Sequence, residues 1–109
     1  MGAVSSNMSA LGEIVRRLVD AYQPERIYLF GSWARGEQNA DSDYDLLVIV
    51  PDDASPERCS SKLAYQVLRG TGVAVDVIVW QHSRFERRAR VASSLPATVL
   101  REGKLLYVA

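Results

Sequence analysis

Positions 27–36 of this 109-residue chain read IYLFGSWARG, a short β-prone run that stops abruptly at a glycine. Glycine lets a backbone turn sharply and lets a ligand approach it closely, so the run is predicted to be a strand that ends at Gly31. Ser32 is a good N-cap for a following turn of helix, whose free N–H groups would point at an anion. The sequence therefore predicts a phosphate-binding turn at Gly31 and Ser32.

A second strand is predicted a few residues further along the chain. After a turn-forming segment, residues 36–42, positions 43–50 read DYDLLVIV, a run of the right length for a buried strand. Strand side chains alternate with a period of two, so Asp43 and Asp45 should share one face while Tyr44 takes the other. Both carboxylates would then face the side on which the phosphate-binding turn lies.

A third acidic residue, Asp76, interrupts the apolar sequence VAVDVIVW at positions 73–80. We expect this run to be a central strand, where an isolated carboxylate is costly unless it is paired or binds a metal. Neighbouring strands lie about 4.8 Å apart, which would place Asp76 beside Asp43 and Asp45. Like charges about 4 Å apart repel by roughly 4 kcal/mol at an effective dielectric constant near 20, so three of them need a cation. Oxygen ligands favour hard divalent ions, and Mg²⁺ shared with substrate phosphates fits best.

A calcium-binding loop is an alternative interpretation of the acidic segment. Asp41, Asp43 and Asp45 match the first three ligand positions of such a loop. Leu46, however, stands where the sharp-turn glycine belongs, and Asp52 stands where the bidentate glutamate belongs. Because no flanking helices are predicted either, we reject calcium binding here.

Taken together, the three motifs resemble the signature of a known superfamily. Residues 31–36, 41–46 and 75–76 are similar to the three-part motif of the DNA polymerase beta-like nucleotidyltransferases, and most of all to the minimal nucleotidyltransferase (MNT) group. That group comprises the antitoxins of HEPN/MNT toxin–antitoxin pairs. The resemblance extends from about residue 27 to residue 107 and implies a palm-like α/β (α+β) fold, with helices packed on a small mixed β-sheet. We expect residues 1–109 to form a single domain.

The resemblance also implies a chemistry. Asp43, Asp45 and Asp76 would be the catalytic residues and would hold two Mg²⁺ ions, with ATP as the donor. The nucleotide would be bound by five residues of the first two motifs: Gly31, Ser32, Arg35, Asp43 and Asp45. For the MNT group, the resemblance further implies transfer of AMP to a tyrosine hydroxyl of a partner HEPN ribonuclease toxin.

The rest of the chain is predicted to be scaffold. Apolar residues at helical spacing predict a first helix that Pro24 closes. Residues 55–70 are predicted to form a second helix, which joins two strands by a right-handed crossover. A capping box at residues 83–86 should open a third helix. A short helix at residues 95–102 and a strand at residues 105–108 complete the prediction.

Composition and charge narrow the function classes. The chain is 48% hydrophobic, which suits one domain with a modest core. Its formal net charge is zero, so the broad positive surface of a nucleic-acid-binding protein is missing and no direct nucleic-acid binding is expected. No apolar run approaches the length of a membrane span, and the first ten residues lack the pattern of a secretion signal. With a single cysteine, which excludes an intramolecular disulfide, these features predict a cytoplasmic enzyme.

Two functions from other classes compete with this interpretation. A non-catalytic antitoxin could keep the nucleotide fold only as a surface that neutralises its partner by binding, although it would have no use for clustered carboxylates. A metal-dependent sugar-nucleotide transferase could use Asp43 and Asp45 as its D-x-D motif. Such an enzyme generally needs a longer chain, and it would leave the turn at Gly31 and Ser32 unexplained.

Two basic features have open roles. Arg35 could reach a phosphate, or it could hold its own loop to Glu37 or Asp41. The arginines between residues 84 and 90 could be an ordinary solvated helix face, or they could dock an acidic partner surface.

Overall fold

A computed structural model describes residues 6–38 and 43–109 of the chain, and the side chains from residue 10 onwards. The helices are α1 (Ser6–Tyr22), α2 (Ser32–Arg35), a 3₁₀ helix (Pro56–Cys59), α3 (Lys62–Val67), α4 (His82–Ala89) and α5 (Leu95–Glu102). The strands are β1 (Arg26–Phe30), β2 (Tyr44–Val50), β3 (Val75–Gln81) and β4 (Lys104–Val108). None of these described helices is long and apolar enough to cross a membrane.

The four strands form one mixed sheet in the order β3-β2-β1-β4. β1 runs antiparallel to both β2 and β4, whereas β2 and β3 are parallel. A parallel pair needs a long connection, which the 3₁₀ helix and α3 supply. The predicted class, a small mixed sheet with helices packed on it, is confirmed.

Strand β2 contributes to a separate hydrophobic core on each face of the sheet. Tyr44, Leu46, Val48 and Val50 pack in the core that contains α1 and α3. The alternate residues Leu47 and Ile49 pack with side chains of α4 and α5, namely Phe85 and Val99. Asp45 therefore belongs to the α4–α5 face, because it shares the alternation of Leu47 and Ile49.

The position of β3 differs from the prediction. We expected a central strand, but β3 lies at the edge of the sheet and Asp76 is exposed. Its apolar run has another cause, since helices cover both faces: Val77 and Val79 contact the α1–α3 core, and Ile78 and Trp80 contact the other. The burial penalty that we assigned to Asp76 from the sequence was therefore wrong.

The predicted helix at residues 55–70 is interrupted. The 3₁₀ helix ends at Cys59, Ser60 has extended backbone angles, and α3 begins at Lys62. The Ser60 hydroxyl accepts a hydrogen bond from the backbone N–H of Lys62 at 3.1 Å, which competes with helix continuation. The Tyr22 hydroxyl donates to the Ser60 carbonyl and accepts from the Ala64 N–H at 2.9 Å. The break is therefore fixed by the last residue of α1.

The start of α4 also differs from the prediction. The helix begins at His82, with Gln81 as its N-cap, so the capping box at residues 83–86 does not form. Ser83 instead donates both its hydroxyl and its backbone N–H, the latter at 2.9 Å, to the Asp52 carboxylate after β2. Glu86 pairs with Arg26 at 3.2 Å. The predicted helix at residues 95–102 is confirmed, and the terminal strand begins one residue earlier than predicted, at Lys104.

Candidate active site

Gly31 and Asp45 meet where β1 ends and β2 begins. Phe30, the last residue of β1, is the register partner of Asp45, so Gly31, which follows it, lies against the aspartate side chain. Gly31 has φ 74° and ψ −153°, a combination essentially restricted to glycine. A methyl group built on Gly31 would lie 2.2 Å from Asp45 Oδ2. Glycine is thus required twice here, by its backbone conformation and by the carboxylate beside it.

The turn after β1 is a single turn of helix, α2. Its N-cap is Gly31, and Ser32 is its first helical residue, so the predicted capping role of Ser32 was wrong. The positive φ of Gly31 explains the difference, because the non-helical residue comes one position earlier than the sequence suggested. The rings of Trp33 and Tyr44 stack with centroids 4.6 Å apart, which fixes α2 against the first residue of β2.

Asp45 and Asp76 are direct partners in the parallel register of β2 and β3. Burial is the main cause that raises the pKa of the Asp45 carboxyl above its ordinary value. The negative charges of Asp76 and, to a smaller extent, Asp43 raise the pKa of Asp45 further. The positive charge of Arg35 opposes this shift. The ionised form of Asp45 is therefore disfavoured both by burial and by its acidic neighbours.

Asp43 lies just before β2 and is exposed. The structure thus brings together Gly31, Asp45 and Asp76, with Asp43 at the margin of the group, while Asp41 lies outside the described residues. Over residues 6–38 and 43–109, no three His, Cys, Asp or Glu side chains are clustered closely enough to hold a metal ion. The donor chemistry nevertheless fits a hard divalent cation, since the groups are carboxylates and the charges of Asp76 and Asp43 add to the burial that raises the pKa of Asp45.

Arg35, at the end of α2, is held by neighbouring acids. Its Nε lies 2.8 Å from Glu37 Oε1, and its Nη1 lies 3.9 Å from Glu102 Oε1. The hydrogen bond to Glu37 raises the pKa of Arg35 above its ordinary value. The contact with Glu37 is thus present, and the role of Arg35 in binding a phosphate stays a prediction. The guanidinium still acts electrostatically on Asp45.

Tyr65 is a residue of this region that the sequence analysis missed. Its hydroxyl donates a hydrogen bond to Asp76 Oδ1 at 3.3 Å, and the side chain is 53% exposed. Burial and the charge of Asp76 both raise the pKa of Tyr65. No motif connects these two residues, because the contact depends on how α3 packs beside the edge strand β3. Only the tertiary structure could have identified Tyr65.

The arginines between residues 84 and 90 follow the end of β3 that is opposite to Asp76. The guanidinium of Arg84 lies over the Trp80 ring, 4.5 Å from its centroid, which is a cation–π contact. Arg87, Arg88 and Arg90 are exposed. A cavity of about 430 Å³ also lies elsewhere, along the 3₁₀ helix and α3, and none of the predicted site residues lines it.

The fold and the arrangement of these residues agree with one enzyme class. Residues 11–104 match the family described as the nucleotidyltransferase domain. The chain therefore belongs to this family and is a nucleotidyltransferase. A protein of Methanocaldococcus jannaschii, provisionally named a protein adenylyltransferase, is 32% identical over 102 residues, which cover 90% of this chain and 95% of that protein.

Solved structures extend the comparison. A chain of a toxin–antitoxin complex with AMP-PNP is 26% identical and superposes with a TM-score of 0.58, covering 89% of this chain and 73% of that one. A chain from the complex of the tri-AMPylated Shewanella oneidensis HEPN toxin with its MNT antitoxin is 23% identical, with a TM-score of 0.58 over 94% of this chain and 72% of that one. The second likeness shows a shared fold.

Proposed function

We propose that this chain, as a single domain over residues 1–109, is a Mg²⁺-dependent adenylyltransferase that moves AMP from ATP to a tyrosine hydroxyl of a HEPN-type toxin and so acts as an antitoxin. The observation that carries the proposal is Asp45, which lies against the Gly31 turn and is in register with Asp76. One carboxylate thereby links the turn that would hold phosphates to the residue that would meet the acceptor.

The proposed roles follow the positions of the residues. Asp45 and Asp76, with Asp43 at the margin, would hold two Mg²⁺ ions, and these ions would neutralise the carboxylates and the triphosphate when bound. Gly31 and Ser32 would hold the β- or γ-phosphate at the start of α2. The acceptor oxygen would attack the α-phosphorus in line, and pyrophosphate would leave. Asp76, exposed at the sheet edge, would accept the proton of the incoming hydroxyl.

Two further observations support the donor and the partner. The toxin–antitoxin relative was solved with AMP-PNP, an analogue of ATP, and the HEPN toxin in the Shewanella complex carries AMP groups. The net charge of zero argues against a nucleic-acid acceptor. We also propose a cytoplasmic location, where ATP is available and where the free Cys59 would stay reduced.

The test is an Asp76→Asn variant, with Asp53→Asn as its control. Asp53 is an exposed acid in the turn after β2, at the other end of that strand from Asp45. Each protein is incubated with a HEPN-type toxin and with Mg²⁺-ATP, and the intact mass of the toxin is measured. Wild type and Asp53→Asn should add AMP groups to the toxin, whereas Asp76→Asn should bind the toxin without modifying it.

The same experiment distinguishes a transferase from a binding-only antitoxin. If wild-type protein neutralises the toxin while the toxin mass stays unchanged, the proposal is wrong and neutralisation by binding alone takes its place. If Asp76→Asn modifies the toxin at the wild-type rate, the assignment of Asp76 is wrong.

A further inference from the structure

Tyr65 places a phenolic hydroxyl beside a site that we propose to act on phenolic hydroxyls. Its oxygen lies 3.3 Å from Asp76 Oδ1 and donates a hydrogen bond to it. This carboxylate is the group that would accept the proton of the acceptor. The Tyr65 oxygen therefore lies where an acceptor oxygen would have to lie to give its proton to Asp76.

The other four tyrosines of the chain are placed differently. Tyr22 is fully buried, and its hydroxyl is hydrogen-bonded to the Ser60 carbonyl and the Ala64 N–H. Tyr28 and Tyr44 are buried, with 8% and 4% of their surfaces exposed. Tyr107 lies on β4, at the opposite edge of the sheet from β3. Among the five, Tyr65 alone combines an exposed side chain with a hydrogen bond to a predicted catalytic carboxylate.

The position of Tyr65 is held by its own helix. Ala64, the preceding residue, is fully buried, and its N–H donates to the Tyr22 hydroxyl at 2.9 Å. The extended residue Ser60 separates α3 from the 3₁₀ helix, so the two helices do not share one axis. The Tyr65 hydroxyl is thus presented to Asp76 from an anchored backbone, which reduces the entropy lost in reaching a reactive geometry.

We propose that Tyr65 is a self-modification site, at which the enzyme transfers AMP from ATP to its own Tyr65 hydroxyl. The proposal rests on the adenylyltransferase activity proposed above. The Tyr65 oxygen would attack the α-phosphorus of ATP, forming the Oη–P bond. The bond between the α-phosphorus and the bridging oxygen would break, pyrophosphate would leave with the electron pair, and the phenolic proton would pass to Asp76.

Self-modification would have a direct effect on the reaction with a partner. An AMP group on Tyr65 would fill the space beside Asp76 that a partner's tyrosine must enter. The modified chain should therefore transfer AMP to its toxin more slowly than the unmodified chain. Because Asp76 and Tyr65 belong to the same chain, the self-modification should be intramolecular.

The test incubates the purified full chain alone with Mg²⁺-ATP and follows its intact mass. Wild type should gain the mass of one adenylyl group, and peptide mapping should locate this group on Tyr65. Tyr65→Phe should lose the gain, while Tyr107→Phe, a tyrosine variant at the opposite sheet edge, should keep it. Thermal melts of both variants check that they are folded. The first-order rate constant should not change over a tenfold range of protein concentration.

Each contrary result is informative. An unchanged wild-type mass under conditions in which the toxin gains AMP would overturn self-modification and leave the proposed function intact. Unchanged masses of both the chain and the toxin would overturn both proposals. An AMP group mapped to another residue, or a rate that rises with protein concentration, would overturn the assignment of Tyr65 as an intramolecular acceptor.

Discussion

Replacing Gly31 with alanine tests the contact on which the candidate site depends. The φ and ψ of Gly31 fall in a region essentially restricted to glycine, which costs another residue about 1–3 kcal/mol. The new methyl group would lie 2.2 Å from Asp45 Oδ2 and would force that side chain from its rotamer, at about 0.5–1.5 kcal/mol. The expected destabilisation is therefore about 1.5–4.5 kcal/mol. At about 4 °C per kcal/mol, this lowers the melting temperature by roughly 6–18 °C.

Gly36→Ala is a matched control for this experiment. Gly36 has the same φ of 74°, but its ψ of 18° places it in the left-handed helical region, and no atom lies within 4 Å of the built methyl group. Its expected cost is only about 1–2 kcal/mol. Differential scanning calorimetry compares the two variants, and a transfer assay should show that Gly31→Ala has lost activity because Asp45 is displaced. Equal destabilisation of the two variants would refute the role of the Gly31–Asp45 contact.

Two further predictions concern stability. The raised pKa of Asp45 means that the folded chain binds this proton more tightly than the unfolded chain, so stability is lost as pH rises from 3.8 through the folded pKa. Metal-free Asp45→Asn should therefore melt above wild type at neutral pH but not below pH 3.8, and an advantage that persists in acid would contradict this cause. Tyr22→Phe should cost about 1–3 kcal/mol in urea unfolding, because both hydrogen bonds of the Tyr22 hydroxyl are lost, at about 0.5–1.5 kcal/mol each, while the Ala64 N–H keeps the Ser61 carbonyl at 3.0 Å. Unchanged stability would show that the two lost hydrogen bonds are replaced.

Local sequence predicted the elements whose boundaries depend on nearby residues. Residues 27–30 lie in β1, as predicted, because they form a short β-prone run that ends at a glycine with positive φ. The helix at residues 95–102 formed as predicted, with the Ser94 hydroxyl accepting from the Ala97 N–H at 3.2 Å. In both cases the determining contacts lie within a few residues along the chain.

Several other predictions were wrong because residues distant in the sequence, or the position of a strand in the sheet, determined the local structure. Ser83 was expected to cap α4 within its own segment, but the Asp52 carboxylate from the loop after β2 takes both of its donors. The residues of β3 are apolar because helices pack on both faces of the strand, and this packing is possible for an edge strand as well as for a central one. The contact between Tyr65 and Asp76 depends on the same edge position, so it could not be predicted from the sequence.

The alternation along β2 links catalysis to folding accuracy. Asp45 shares a face with Leu47 and Ile49, which pack against α4 and α5. A shift of β2 by one residue would turn the carboxylate towards α1 and would exchange the side chains of β2 between the two cores. A molecule with the wrong register would therefore mispack both cores and lose its active site in one step. Specific activity in a purified sample should then count correctly folded molecules, since partly active misfolded forms are not expected.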